Sequence, residues 1–176
     1  VRGVFSNDGT FSAQGGTLNL GNSPSDWRDL QLVATEDMSG TFTDLRAVHL
    51  SEDGSRLYAS DGSGNTIYQY SLTTPWDLST MTLVNSSSTP GHLPDDFSLS
   101  ANGDYLHVFD ANYYQYTLAT PWDITTLEYD TSLLTSQSVT NAEFSPDGTK
   151  LYEAEVNLDE LIERTLSTPW DISSLT

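Results

Sequence analysis

Hydrophobic and polar residues alternate over short stretches of this chain, and turn residues interrupt the alternation at regular intervals. Residues 96–100, Asp-Phe-Ser-Leu-Ser, alternate in this way and lead into Asn102-Gly103, a dipeptide typical of a tight two-residue hairpin turn. Pro121 then ends strand pairing, because proline has no N–H. The strands predicted around it cover residues 104–110, 113–119 and 126–134. No segment sustains a 3.6-residue period, so the pattern predicts antiparallel strands.

This group of strands recurs along the chain. An Asx-Gly turn after a serine is found at four glycines spaced by 45, 49 and 45 residues: Gly9, Gly54, Gly103 and Gly148. The four tryptophans keep the same phase, with spacings of 49, 46 and 48 residues: Trp27, Trp76, Trp122 and Trp170. Four strands in about 45 residues are typical of one propeller blade. The sequence therefore predicts an all-β fold, a β-propeller built from four-stranded antiparallel blades.

The repeat divides the chain into four predicted units. These are a degenerate first blade at 1–47, blades at 48–95 and 96–141, and an incomplete fourth blade at 142–176. Residues 156–166 are the least regular stretch, and their alignment with the other repeats predicts a divergent third strand. Four units either close a small ring or form an arc of a larger one, and we favour the larger ring or assembly, because an open arc leaves unpaired strand edges.

Two sequence motifs resemble repeats of known protein families. Residues 144–152, Phe-Ser-Pro-Asp-Gly-Thr-Lys-Leu-Tyr, resemble the Ser-Pro-Asp-Gly hairpin of many β-propeller repeats, including surface-layer-type and lactonase-like seven-bladed proteins. The longer phrase Tyr-Gln-Tyr-x-Leu-x-Thr-Pro-Trp-Asp-Ile resembles a propeller-like repeat of large proteins from marine bacteria and their phages, from about Val48 onward. The resemblance implies a propeller fold and says little about activity.

The amino-acid composition limits the binding partners and the chemistry that are possible for this chain. The chain carries 25 acidic and six basic residues, a net charge of −19, which argues against binding nucleic acid or an anionic membrane surface. It has no cysteine, which excludes disulfides, thiol catalysis and cysteine-ligated zinc, and no apolar run long enough for membrane insertion. Such acidity suits an extracellular location or a virion surface, where salt screens self-repulsion, and it also suits simple solubility.

The Thr-Pro-Trp-Asp motif has a structural and a binding interpretation. An exposed tryptophan ring stacks on sugars and a neighbouring carboxylate accepts sugar hydroxyls, which would make a carbohydrate-binding protein. The recurrence in every unit favours structure: the tryptophan packs against the neighbouring blade, and the aspartate caps its own turn. We therefore expect Asp77, Asp123 and Asp171 to accept hydrogen bonds within their turns.

Two groups of polar residues are candidate sites. Asp61, Asp110 and Glu155 each lie seven residues after a hairpin glycine and form a candidate metal site for a cation such as calcium, although single carboxylates at turns commonly bind turn amides instead. The irregular segment 88–97 contains His92, Asp95 and Asp96, a candidate ligand-binding loop. The Ser-x-Asx-Gly turns also supply oxygen ligands, but no calcium-binding motif follows them.

No nucleophile motif or catalytic triad is recognisable, so the sequence favours a protein that is not an enzyme. The leading prediction is an extracellular or virion-associated propeller for structural display or adhesion, which needs no cofactor other than a possible calcium ion. Its partners would be other protein subunits, the rest of a longer chain, or a surface glycan. The alternatives are a lactonase- or glycosidase-like hydrolase with a site in the central funnel, and a lectin-type propeller.

Overall fold

The chain folds into two compact units, Val1–Thr35 and Glu36–Thr176. The computed structural model describes residues 4–5, 10–13, 16–19, 34–89, 91–110, 112–133, 139–155 and 159–176. In the first unit, β1 (Val4–Phe5), β2 (Thr10–Ala13) and β3 (Gly16–Asn19) form one antiparallel sheet. Gly9 and Trp27, the repeat residues predicted for this unit, lie outside the described residues.

The second unit contains three antiparallel sheets, each with its strands in chain order. The second blade consists of β4 (Leu45–Leu50), β5 (Arg56–Asp61), β6 (Thr66–Leu72) and β7 (Met81–Ser88). The third blade consists of β8 (Asp96–Leu99), β9 (Tyr105–Asp110), β10 (Asn112–Leu118) and β11 (Leu127–Leu133). The fourth blade is described for β12 (Val139–Phe144), β13 (Lys150–Glu155) and β14 (Glu160–Thr165).

These sheets confirm the predicted all-β fold of antiparallel blades. The divergent stretch before Leu166 does contain the predicted third strand, β14. The boundaries predicted for the four repeats stay predictions, because a sheet locates strands and not the ends of a repeat. Among the described residues, no helix has the length and apolar character needed to cross a membrane.

In the second unit, each hairpin between the first two strands of a blade has a four-residue loop, where the sequence predicts two. In the second blade, Ser51 N–H donates to the Arg56 carbonyl at 3.0 Å and Gly54 N–H donates to the Ser51 carbonyl at 2.8 Å. Only the glycine of the Asp53-Gly54 pair has a positive φ, +67°. The aspartate instead accepts hydrogen bonds from Ser51 Oγ and Ser55 N–H, which lower its pKa to about 2.

The Thr-Pro-Trp-Asp motif forms a type II turn in which tryptophan occupies the position that normally requires glycine. In the third blade, Asp123 N–H donates to the Thr120 carbonyl at 3.1 Å and Trp122 has φ +67°. The indole lies over the hairpin glycine of the same blade, and Trp122 N–H donates to the Gly103 carbonyl at 3.0 Å. The ring covers its own hairpin glycine, and Trp122 also packs against the apolar cluster that includes Tyr58 and Ile67 of the preceding blade.

The aspartate that ends each motif caps the following single-turn 3-10 helix, as predicted. Asp77, Asp123 and Asp171 each accept a hydrogen bond from the backbone N–H two residues later. The capped helices are Leu78–Thr80, Ile124–Thr126 and Ile172–Ser174. Capping fixes the direction in which the chain leaves the turn.

The junction between the second and third blades combines an apolar core with two hydrogen bonds to this turn. Tyr58 and Ile67 of the second blade pack into the same buried cluster as Ile124 of the third. Tyr58 OH donates to the Trp122 carbonyl at 2.9 Å, and Ile124 N–H donates to Gln69 Oε1 at 3.3 Å. A blade therefore binds the Pro-Trp-Asp turn of the blade that follows it.

The junction between the third and fourth blades repeats this arrangement with histidine in place of tyrosine. His107 Nε2 lies 2.8 Å from the Trp170 carbonyl, and Ile172 N–H donates to Gln115 Oε1 at 2.9 Å. Since Nε2 faces oxygen acceptors only, it carries the proton of a neutral ring. Burial lowers the pKa of His107 to about 4.

Replacing Gly103 with alanine tests the contact between tryptophan and glycine. A Cβ at Gly103 would lie 2.5 Å from Trp122 Cδ2, at φ +76°. Gly91 is a matched control, because its φ is +79° and nothing lies within 4 Å of an added Cβ. We expect Gly103→Ala to lower the free energy of unfolding by roughly 2 to 4 kcal/mol and Gly91→Ala by about 1 kcal/mol in urea denaturation. Equal losses would mean that the ring contact contributes nothing.

Replacing His107 with glutamine tests the buried imidazole at the junction. The folded chain keeps His107 neutral down to a pKa of about 4, whereas the ordinary value is 6.5. The unfolded chain therefore binds an extra proton between these values, and the free energy of unfolding falls by up to about 3 kcal/mol as the pH drops from 6.5 to 4. We expect His107→Gln to lose this part of the pH dependence in denaturation at several pH values. Parallel curves for the two proteins would contradict the assignment.

Candidate functional site

The first strands of the three blades lie side by side and line a groove. β8 contacts β4 on one side and β12 on the other. The groove has a volume of about 300 Å³, and its lining includes side chains from all three strands, among them His49, Ser98, Asp96 and Glu143. In a propeller the first strands of the blades face the central channel, so this groove lies on the channel side of the second unit.

Asp96 begins β8 and is held in place by neighbouring donors. Phe97 N–H donates to Asp96 Oδ1 at 2.9 Å, and Asn141 Nδ2 of β12 donates to Oδ2 at 2.8 Å. Burial raises the pKa of Asp96, and these hydrogen bonds only partly offset the effect. The groove therefore contains an oriented carboxyl group whose affinity for protons is increased.

Glu143 of β12 is the second carboxyl group of the groove. Its pKa is raised by burial and, in addition, by the negative charge of Asp96 on the adjacent strand. The two carboxyl groups interact electrostatically, so protonation of one favours ionisation of the other. Two carboxyl groups in different environments are suited to separate roles as acid and base.

His49 of β4 is the histidine among the described residues that line the groove. Burial lowers its pKa, which keeps the ring uncharged near neutral pH. Its ring centroid lies 6.3 Å from that of Phe97 and 6.4 Å from that of Tyr58. The ring is therefore a neutral polar group set among aromatic side chains.

Sequence reasoning missed this combination, although the repeat contains a signal for it. His49, Ser98 and Glu143 all stand two residues before the serine that opens a hairpin, and Asp96 and Asn141 share the position two residues earlier. Equivalent positions of neighbouring first strands face the same channel. Aligning the first strands by their hairpins would have placed these side chains together.

The three side chains of the predicted ligand loop have different partners in the structure. His92 Nδ1 lies 2.6 Å from Tyr116 OH, and the His92 ring stacks on Tyr114 with centroids 3.6 Å apart. Asp95 forms an ion pair with Arg46. Only Asp96 lines the groove.

The carboxylates of the candidate metal site bind turn amides where their side chains are described. Asp61 accepts hydrogen bonds from Thr43 N–H at 3.1 Å and Ser63 N–H at 3.0 Å, and Asp110 Oδ2 accepts one from Leu93 N–H at 3.3 Å. Burial acts to raise the pKa of Asp61, but its hydrogen bonds outweigh this and lower it. The side chain of Glu155 lies outside the described residues, so the calcium site stays a prediction.

Comparison with known protein families shows which family this chain belongs to. The family described as lactonase, seven-bladed beta-propeller, matches residues 17–119, which is 103 of the 176 residues. The chain belongs to this lactonase family. No curated protein sequence matches it.

Solved structures similar to this member of the lactonase family support the propeller fold. A candidate 6-phosphogluconolactonase from Bacteroides uniformis has a TM-score of 0.55 at 16% identity, covering 99% of this chain and 52% of its own. One from Bacteroides fragilis has a TM-score of 0.54 at 18% identity, covering 75% and 37%. The periplasmic gluconolactonase of Pseudomonas aeruginosa has a TM-score of 0.51 at 17% identity, covering 70% and 36%. The lactonase-family chain thus spans between about a third and a half of these structures.

The family match corrects the function predicted from sequence. A non-enzymatic propeller for structural display or adhesion is wrong, because the matching family is one of lactonases. The prediction failed because it relied on local catalytic motifs, whereas the titratable groups of the groove come from three separate strands. The lactonase-like hydrolase, given above as an alternative, agrees better with the family match than the adhesion protein does.

Replacing Glu143 with glutamine tests the electrostatics of the groove. Because the folded chain raises the pKa of Glu143 above its ordinary 4.5, ionisation at higher pH reduces stability. We expect Glu143→Gln to raise the melting temperature by about 1 to 2 °C at neutral pH, after allowance for solvent screening, and to lose this gain below pH 4.5. The matched control is Glu128→Gln on the exposed face of β11. A gain of the same size in both variants would show that the groove does not cause it.

Proposed function

We propose that this chain contributes a hydrolytic site for lactones, located in the groove between β4, β8 and β12. The observation that carries the proposal is the pair Asp96 and Glu143, two carboxyl groups on adjacent strands whose pKa values are both raised. Perturbed pKa values within a groove are typical of catalytic groups. Membership of the lactonase family supports this chemistry over other hydrolytic reactions.

Lactone hydrolysis adds a water oxygen to the ester carbonyl and breaks the ring C–O bond. Asp96 is the group we assign as the base that accepts a water proton, because Phe97 N–H and Asn141 hold its carboxylate in a fixed orientation. Glu143 is the acid that protonates the departing ring oxygen, because burial and the neighbouring charge of Asp96 both favour its protonated form. The neutral ring of His49 is available to orient the substrate.

The charge of the groove indicates the class of lactone. Asp96, Glu143 and Glu52 contribute to its lining, and no lysine or arginine is among the described residues that line it. A phosphorylated sugar lactone would meet uncompensated negative charge there, whereas an uncharged one would not. Uncharged sugar lactones are therefore the proposed substrates.

The proposal is tested by titrating the acid released from glucono-1,5-lactone in excess over spontaneous hydrolysis. We expect Asp96→Asn and Glu143→Gln each to lower kcat by about 100-fold or more, since each removes a proton-transfer group. Glu128→Gln, outside the groove, is expected to retain activity. Full activity in Asp96→Asn and Glu143→Gln, or no hydrolysis above background by the unmodified chain, would refute the proposed site.

The same assay tests the substrate class by comparison with 6-phosphogluconolactone. We expect kcat/KM to be at least about tenfold lower for the phosphorylated lactone at low salt, and the gap to narrow as salt screens the groove. A preference for the phosphorylated lactone would overturn the substrate assignment while leaving the hydrolytic site in place.

The predictions of an extracellular or virion-surface location and of a surface glycan partner remain proposals supported by the acidity of the chain. The resemblance of the Thr-Pro-Trp-Asp motif to repeats of marine bacterial and phage proteins likewise remains a proposal.

A further inference from the structure

The groove continues past the two carboxyl groups to the hairpins of the three blades. Its lining includes Glu52, Ala101 and Pro146, each of which follows the serine that opens a hairpin. Pro146 stands three residues after Glu143, so the groove extends about 10 Å further, at about 3.3 Å per residue of extended chain. A lactone ring held at the carboxyl groups therefore leaves room in the groove beyond it.

Aromatic side chains line this further part of the groove. Trp122 and Trp170 both contribute to the lining, and each lies over a hairpin glycine while remaining only half-buried. The Trp170 ring centroid lies 5.0 Å from that of Phe144, which is also in the lining. Large aromatic rings of this kind offer an apolar surface to the C–H face of a sugar ring.

Glu52 adds a carboxylate beside these aromatic rings. The residue is exposed, and its oxygens can accept hydrogen bonds from hydroxyl groups. An alkyl chain at this place would remove water from the carboxylate without replacing its hydrogen bonds, which is unfavourable. A sugar ring instead has an apolar face for the indoles and hydroxyls for the carboxylate. We call this part, lined by Glu52, Ala101, Pro146, Trp122 and Trp170, the hairpin segment of the groove.

We propose that the hairpin segment binds a second sugar ring, so that the substrates are lactones of disaccharides linked through O4 of the lactone ring. The inference rests on the hydrolytic site proposed above, which holds the lactone ring at Asp96 and Glu143. C4 lies across the six-membered ring from the C1 carbonyl, so a substituent on O4 points away from the reacting bond. The second ring then lies against the indoles and donates a hydroxyl to Glu52.

Hydrolysis of cellobiono-1,5-lactone, compared with glucono-1,5-lactone, tests the second-ring contact in the full chain. We expect kcat/KM to be at least about tenfold higher for the disaccharide lactone, because the remote ring adds binding energy to the transition state. Glu52→Ala is expected to lower kcat/KM for the disaccharide lactone by about tenfold and to leave glucono-1,5-lactone unaffected, since one hydrogen bond to a charged group is lost.

Replacing Ala101 with tryptophan fills the hairpin segment without touching the carboxyl groups. Ala101 is exposed in its hairpin, so the larger side chain displaces no core residue. We expect Ala101→Trp to lower kcat/KM for the disaccharide lactone at least about tenfold and to change that for glucono-1,5-lactone less than about twofold. Ala119→Trp is the matched control, because Ala119 is an exposed alanine of the same blade and is not among the described residues that line the groove.

Binding of cellobiose and of glucose tests the same contact without any hydrolysis. Titrations followed by tryptophan fluorescence are expected to give a Kd for cellobiose at least about tenfold lower than that for glucose. In Ala101→Trp the two Kd values are expected to become equal, and in Ala119→Trp the difference is expected to persist.

The outcomes separate the second-ring contact from the hydrolytic site. Equal kcat/KM for the two lactones, or a preference that persists in Ala101→Trp, would overturn the contact and leave the hydrolytic site in place. Equal affinity of the unmodified chain for cellobiose and glucose would also overturn the contact. Tighter cellobiose binding that Ala101→Trp removes, without hydrolysis of either lactone, would support the contact and refute only the hydrolytic site.

Discussion

A tryptophan ring lying over a glycine sets the geometry of every blade in the second unit. The tryptophan adopts a left-handed backbone conformation that costs about 1 to 2 kcal/mol for a residue with a side chain. The ring contact with the hairpin glycine and the hydrogen bond from the tryptophan N–H to the glycine carbonyl offset this cost. With the turn fixed in this way, the tryptophan carbonyl and the N–H two residues later face the preceding blade. The junctions between blades therefore depend on a contact inside each blade.

The groove, in contrast to this turn, destabilises the folded chain. Asp96 and Glu143 bring two carboxyl groups together in a chain that already carries a net charge of −19, and both have raised pKa values because of burial. Such an arrangement destabilises the ionised folded state near neutral pH. The apolar clusters and the capped turns at the junctions stabilise the strands that bear these groups. Site and scaffold meet at the groove, because Trp122 and Trp170 of the turns are among its lining residues.

Much of the fold was predictable because it is encoded locally and repeated. The glycine and tryptophan spacing predicts the blades, and the aspartates after tryptophan cap their turns as their position suggests. The hairpin loop length was wrong because Asx-Gly suits both two-residue and four-residue loops, and the hydrogen bond of Ser51 selects the longer one. The position of the Trp122 ring over its own hairpin glycine was not predicted, because a left-handed tryptophan is rare and no local rule anticipates it.

The candidate site was less accessible from sequence because its members are distant along the chain. Asp96 was identified, but as part of a loop with His92 and Asp95, which point to other partners. The association with Glu143 arises only when neighbouring first strands are placed side by side. The lactonase-like alternative was ranked below adhesion for the same reason, since no contiguous motif contains both Asp96 and Glu143.

In each junction one blade binds the turn of the blade that follows it, and this direction has a consequence for how such a chain changes in evolution. Each complete blade carries a binding face for the next turn and a turn for the preceding face, within one repeat of the sequence. A duplication or deletion of one whole repeat would therefore leave the new neighbours with matching surfaces, and a break at any other phase would separate a tryptophan from its glycine. The contact inside the blade thus defines the unit in which this chain can lengthen or shorten without loss of folding.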